Sequence, residues 1–185
     1  MSKILVFFFL SVTMIISGCM SAKQVSKKSI AIEVTPSEAQ AKLKEMSRGL
    51  VVYYDDMKDA IICRVDANLN DVLLFVPRVE INNQFEPELY LQIFHTSRRS
   101  LYFDKLYIRS ANGTAEFKVS TGNEYNGLMS REIYQSLKDG VMSEYIKIRI
   151  AGRDMDEREL TAEEIAQIDK VFTIYEYLSK VKVTN

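Results

Sequence analysis

Leu106-Tyr107-Ile108-Arg109-Ser110-Ala111-Asn112-Gly113-Thr114-Ala115-Glu116-Phe117-Lys118-Val119 is the stretch whose reading decides the fold. Two runs of alternating apolar and polar residues flank an Asn-Gly pair. That pair is the strongest short-range signal for a type I′ β-hairpin, because both residues tolerate the positive φ the turn requires. Counting outward from the turn pairs Ile108 with Phe117 and Leu106 with Val119 on one face, and Arg109 with Glu116 and Tyr107 with Lys118 on the other. One face is wholly apolar and the other carries an opposite-charge pair. Side chains alternate with a period of two, so a slip of one residue in either strand would turn the apolar set to solvent. The expectation is an antiparallel hairpin with Phe117 and Ile108 facing each other in the core and Lys118 outside.

Working outward, residues 50–54 and 60–65 read as strands around the polar turn 55–59. Residues 72–75 read as a strand ended by Pro77, and 89–96 as an interior strand with apolar residues on both faces. Ile30, Ile32 and Val34 alternate with Ala31 and Glu33, which predicts a short strand. Residues 145–150 direct Ile146, Ile148 and Ile150 inward and Lys147 and Arg149 outward. Three helices carry start signals. Thr35-Pro36-Ser37-Glu38 is a capping box with proline at the first helical position, and Ala39, Leu43 and Met46 continue it as an apolar stripe up to Gly49. Ser130 caps a short helix over 131–139 that Gly140 stops. Thr161-Ala162-Glu163-Glu164 is a second capping box, opening a helix that buries Ile165, Ile168, Phe172, Tyr175 and Leu178. Strands that follow one another without crossover helices predict an α+β fold: an antiparallel β-meander sheet with an N-terminal helix, a short helix and a C-terminal helix packed on it.

The order of these signals runs from Tyr54-Asp55-Asp56-Met57-Lys58-Asp59 through the Asn-Gly hairpin and a short helix to Ile148-Arg149-Ile150-Ala151-Gly152 and the capped last helix. It resembles a group of small secreted or lipid-anchored bacterial domains without an assigned activity. The resemblance covers residues 50–180 or so and rests on loose, fold-type motifs. What it implies is architecture, not function.

The first residues carry a different kind of signal. Met1-Ser2-Lys3 is a short, singly charged start. Residues 4–16 are an apolar run broken only by Ser11 and Thr13, long enough for a signal-peptide core and shorter than the ~20 residues a transmembrane helix needs. Ile16-Ser17-Gly18-Cys19 follows and resembles the lipobox of bacterial lipoproteins: an aliphatic residue, two small residues and a cysteine. The resemblance implies cleavage between Gly18 and Cys19 and a diacylglyceryl group on the Cys19 sulfur, with further acylation, palmitate for example, on the new amino terminus. Two or three chains make a stable anchor where one is marginal, each buried CH₂ contributing about 0.8 kcal/mol. Met20 in place of aspartate resembles the default outer-membrane signal of a two-membraned host. The predicted organisation is a signal peptide over 1–18, the lipidated Cys19 and a polar tether over 19–29, and a single α+β domain over 30–185, held in the cell envelope.

Charge and inventory narrow the chemistry. The chain has 24 basic and 25 acidic side chains, a net charge of −1. No basic field exists to follow a phosphate backbone, which argues against nucleic acid. His95 is the one histidine, so any Ser-His or Cys-His device must use it, and it reads as structural. Cys63 shares strand parity with Ile61 and Val65 and reads as a buried small hydrophobe. One histidine and one remaining cysteine do not build a typical zinc site. Asp154, Asp156, Glu157 and Glu159 read as a loop. They begin like a calcium loop, but Glu159 and Ile165 stand where an EF-hand needs glycine and glutamate. Asp55, Asp56 and Asp59 read as turn residues. No catalytic residue, metal ligand or cofactor is assigned.

Ten tyrosines and no tryptophan leave one surface to consider. Tyr53, Tyr107 and Tyr145, with outward-facing charges beside them, mark the candidate binding surface. The reading that follows is a membrane-anchored envelope lipoprotein whose domain is a non-enzymatic module binding another envelope protein or a glycan. Two alternatives stay beside it: a carboxylate-dependent hydrolase of envelope glycans, and a purely structural lipoprotein.

Overall fold

The computed structural model describes residues 32–67, 73–96, 102–122, 124–153 and 155–184. The predicted signal peptide, the predicted lipobox with Gly18 and Cys19, the predicted tether, Ile30 and Asp154 lie outside the described residues. In chain order the elements are β1 (Ile32–Val34), α1 (Pro36–Met46), β2 (Val51–Asp55), β3 (Ala60–Arg64), β4 (Leu73–Asn82), β5 (Pro87–His95), β6 (Phe103–Ser110), β7 (Gly113–Gly122), β8 (Glu124–Leu128), α2 (Arg131–Met142), β9 (Lys147–Gly152), β10 (Met155–Glu159), α3 (Ala162–Leu178) and β11 (Val181–Val183).

The α+β class and the antiparallel strands are as expected, and the strands divide between two sheets. β2-β3-β4-β5-β8 form one and β10-β9-β6-β7 the other, both antiparallel throughout. The sequential hairpins of a meander survive within each sheet. The split comes where β8 returns to pair with β5 and where β9, after α2, pairs with β6. A third, two-stranded ladder sets β1 parallel to β11, Ile32 beside Val181 and Val34 beside Val183. It is closed by Ile32 N–H to Lys180 O at 3.1 Å and Thr184 N–H to Val34 O at 3.0 Å.

One core joins both sheets. Val79, Leu91 and Ile93 from the first, Leu106, Ile108, Ile148 and Ile150 from the second, Leu137 from α2 and Ile168, Val171 and Phe172 from α3 are each 0–1% exposed. At about 1.5–3 kcal/mol per fully buried aliphatic side chain, this apolar layer is the main force holding the layers together. Both predicted capping boxes form. Thr35 Oγ1 accepts from Glu38 N–H and Glu38 reaches back to Thr35 N–H, and Thr161 and Glu164 repeat the arrangement. The last helix buries Ile165, Ile168, Phe172 and Leu178 as expected, with Tyr175 half-buried.

The structure corrects the sequence reading at five places. The central hairpin forms, but two residues out of the expected register: Ser110 pairs with Gly113, Ile108 with Ala115, Leu106 with Phe117 and Tyr107 with Glu116. The turn is Ala111-Asn112, Asn112 N–H bonds to Ser110 Oγ at 3.2 Å, and Asn112 does not take positive φ, so no type I′ turn forms. A shift of two equals the side-chain period and leaves every residue on its predicted face, which is why the face pattern alone could not detect it. Phe117 therefore meets Leu106 and, on the edge strand β7, is only half-buried.

Pro77 does not end its strand, because β4 runs from Leu73 to Asn82. Val65 N–H donates to Pro77 O at 3.3 Å, and the reciprocal donor is the one proline lacks. β3 stops pairing at Arg64, so the missing bond falls at a ladder end. Nor does Gly140 stop α2, which continues to Met142. A Cβ on Gly140 would lie 2.4 Å from Ile146 Cγ1, so the glycine is there for close packing. Residues 155–159 form β10 rather than a loop, paired to β9. Finally, β8 and β11 form where no strand was expected, because both gain their pairing from strands distant in sequence.

Candidate functional site

The second sheet buries one face and presents the other. Phe103, Leu106 and Ile108 of β6 and Ile148 and Ile150 of β9 point into the core. The alternate positions therefore face outward, and the pairing register fixes their neighbours. Glu157, Arg149, Tyr107 and Glu116 lie in one row across the four strands, with Glu159, Lys147, Arg109 and Thr114 in the next. Lys105 and Lys118 face each other one step along. Like charges so placed repel, and Lys105 instead reaches Glu116 at 2.9 Å.

Tyr107 is the centre of this face. The Arg149 guanidinium carbon lies 4.3 Å from its ring centroid, a cation–π geometry. Lys147 Nζ contacts Glu157 Oε1 at 2.6 Å. Hydrogen bonds from Lys105 and Tyr107 hold the Glu116 carboxyl below its ordinary range. The hydrogen bond from Lys147 does the same for Glu157, with the charges of Lys147, Arg149 and Arg109 adding to it. Arg109 itself makes no ion pair among the described residues. Tyr107, Arg109, Thr114, Lys147, Arg149 and Glu157 line a small pocket of about 90 Å³.

The three tyrosines singled out from sequence do not form one surface. Tyr145 precedes β9, one position before the buried Ile146, and its N–H bonds to Gly140 O at 3.1 Å where α2 closes. Tyr53 lies on the other sheet, on the edge strand β2 opposite Ile62, and is 44% exposed. Sequence reasoning placed Lys147 and Arg149 outward but missed their grouping with Tyr107 and Arg109. The parity of each strand was readable, whereas the pairing of β6 with β9 across an intervening helix was not.

The other chemistry-bearing residues are engaged in structure. His95, with its side chain 4% exposed, sits at the end of β5 with Nε2 2.9 Å from Asp156 Oδ2 of β10, linking the two sheets. Cys63 is buried, and that burial pushes its thiol pKa up to about 11. Asp55 Oδ1 accepts from Met57 and Lys58 N–H in the β2–β3 turn, and Asp59, at φ 50°, takes a hydrogen bond from Asn83 at 3.0 Å. The first sheet carries an open cleft lined by Lys58, Glu80, Glu86, Glu88 and Tyr90. Its buried carboxylate, Glu80, is held by Lys58 at 2.8 Å and by Arg78 at 2.9 Å. Among the described residues, no group of three or more His, Cys, Asp or Glu side chains is placed to hold a metal ion, and no helix is long and apolar enough to cross a membrane.

Neither a family model, nor a curated protein, nor a solved structure matches this chain.

Proposed function

We propose that this chain is an envelope lipoprotein, anchored through acyl chains on Cys19, whose domain is a non-enzymatic binding module, and that the module meets its partner with the outward face around Tyr107. The anchor rests on the sequence Ile16-Ser17-Gly18-Cys19 after an apolar run. The observation that carries the binding reading is the composition of that face. It combines an aromatic ring, two arginines and a lysine on rigid paired strands, and Arg109 has no ion-pair partner among the described residues. Tyrosine and arginine are among the side chains most enriched, with tryptophan, at energetically dominant contact positions. The engagement of His95 with Asp156, and of Glu80 with two cations, speaks for structural roles for the two groups that acid–base chemistry would otherwise recruit first. Confinement to a membrane raises the effective concentration of a module and a partner on the same surface.

Two measurements test the reading. Metabolic labelling with a fatty acid should mark the wild type and not Cys19→Ser; equal label on both would remove the anchor. A photoreactive residue at Glu159, exposed beside the patch and outside the pocket lining, should crosslink a specific envelope protein or glycan in intact membranes, and the crosslink should fade in Tyr107→Ser. A hydrolase screen run in parallel is expected to be silent. Turnover abolished by chelation or by His95→Ala would replace the binding module with an enzyme.

A further inference from the structure

From the geometry of the second sheet we infer that the pocket between Arg109, Thr114, Lys147 and Arg149 is an oxyanion site that takes a single phosphate group. This deepens the binding reading of the same face and rests on it. The side chains come from three adjacent strands in fixed register: Arg109 stands opposite Lys147 on β9 and opposite Thr114 on β7, and Arg149 is diagonal to Arg109. Three cations against one carboxylate, Glu157, leave the pocket with an excess of two positive charges. Glu157 makes its ion pair with Lys147 at 2.6 Å, so neither guanidinium has a carboxylate in contact among the described residues, although both lie near Glu157. The Arg149 guanidinium, carried on the ring of Tyr107 at 4.3 Å, has its position restricted before any ligand arrives. A planar guanidinium fork matches the oxygens of a phosphate with two parallel N–H donors, and the Thr114 hydroxyl adds a neutral donor.

Size selects the class of ligand. About 90 Å³ exceeds the ~10–15 Å³ that one water needs on the same measure and leaves room for one tetrahedral oxyanion. It is well below the ~300 Å³ at which pockets begin to enclose whole small molecules. The rest of the ligand remains outside the pocket, so the site reads the phosphate group alone. A lipid headgroup and a soluble or glycan-borne phosphomonoester both present such a group.

The test uses the full chain in a neutral detergent, titrated with inorganic phosphate and followed by calorimetry or by backbone amide NMR. Saturable binding is expected. The double variant Arg109→Ala/Arg149→Ala should weaken it at least tenfold. Glu157→Gln, which removes the competing carboxylate while keeping its shape, should tighten it severalfold. All these side chains are on the solvent face, so the thermal melting point should be unchanged. A wild type that shows no saturable binding, or a double variant that binds as the wild type does, overturns the site. Repeating the titration with glycerophosphoglycerol and with a sugar phosphomonoester assigns the source: tighter binding of the diester points to lipid, and of the monoester to a soluble or glycan ligand. Fatty-acid labelling at Cys19 is independent of every one of these results, so the anchor and the pocket stand or fall separately.

Discussion

Arg158 grips Glu164 with both ends of its guanidinium, Nη1 at 2.9 Å from Oε2 and Nη2 at 2.6 Å from Oε1. Its Nε donates to Leu73 O at 2.7 Å, and Glu164 Oε2 also accepts from Thr161 N–H at 2.8 Å. A single side chain thus ties β10 of one sheet to the start of β4 in the other and to the N-terminus of α3. Both partners are mostly buried, with 16% and 10% of their side chains exposed. Removing one member of a buried pair leaves the other unpaired, which costs about 3–5 kcal/mol. Arg158→Ala should therefore lower the urea midpoint strongly, while Arg64→Ala should lower it little. Equal midpoints would show that the fork does not hold the layers together.

The same fork sets a pH dependence. Burial alone would raise the Glu164 pKa, but hydrogen bonds from Arg158 and from Thr161 N–H, with the Arg158 charge, outweigh it and hold the carboxyl below 4.5. A depressed native pKa means that the unfolded chain takes up protons first. The stabilisation is then complete above the unfolded value and is lost as pH falls through the native one. Denaturation midpoints measured from pH 6 down to pH 2 should fall more steeply for the wild type than for Glu164→Gln, whose curve starts lower.

The register of the hairpin ranks two core substitutions. Leu106 is fully buried between Phe117 and Ile150, whereas Phe117 is half-buried. Leu106→Ala should cost about 2–5 kcal/mol. Phe117→Ala should cost less, although phenylalanine is the larger residue, and Lys118→Ala close to nothing. Guanidinium denaturation of the three variants gives the order directly. A Phe117 variant less stable than the Leu106 variant would restore the register counted from Asn112-Gly113.

Helix α2 offers an inversion of sign. Exchanging glycine for alanine inside a helix normally stabilises it by about 1 kcal/mol. At Gly140 the new Cβ would meet Ile146 Cγ1 at 2.4 Å and Tyr145 O at 3.3 Å. Overpacking of that kind costs about 1–3 kcal/mol, so Gly140→Ala should destabilise. Adding Ile146→Ala should make the double variant less damaged than the sum of the two singles, and strict additivity would deny the contact.

Cys63 should be inert while the protein is folded. Burial removes the thiol from reagents and lifts its pKa to about 11, which leaves almost no thiolate at neutral pH. A chromogenic disulfide reagent should react within seconds in denaturant and over hours without it. Rapid labelling of the native protein would mean that β3 opens locally.

What the sequence made legible follows from the range of each interaction. The two capping boxes are contacts across three residues, and both formed as written. The inward set Ile146, Ile148 and Ile150 depends only on strand parity, and it holds. The partition of the strands between two sheets depends instead on which distant strand a segment meets. Nothing within Glu124–Leu128 shows that it will lie beside β5, and nothing in Met155–Glu159, read as a loop, shows that Asp156 will find His95 and Arg158 will find Glu164. The candidate site is hidden in the sequence for the same reason. Tyr107 was visible as an outward residue, but its neighbour Arg149 is 42 residues further along the chain.

The short ladder between β1 and β11 determines where mechanical load would travel. A pull applied at Ile32 divides. One share passes along the backbone through Thr35 into the capped start of α1. The other crosses the hydrogen bonds to Lys180 and Thr184 into β11, and so into the end of α3 that carries the buried Leu178. Two helices seated in the core share a tug that a lone strand would pass to one, so tension applied at Ile32 enters the domain through α1 and α3 together rather than by peeling β1 alone.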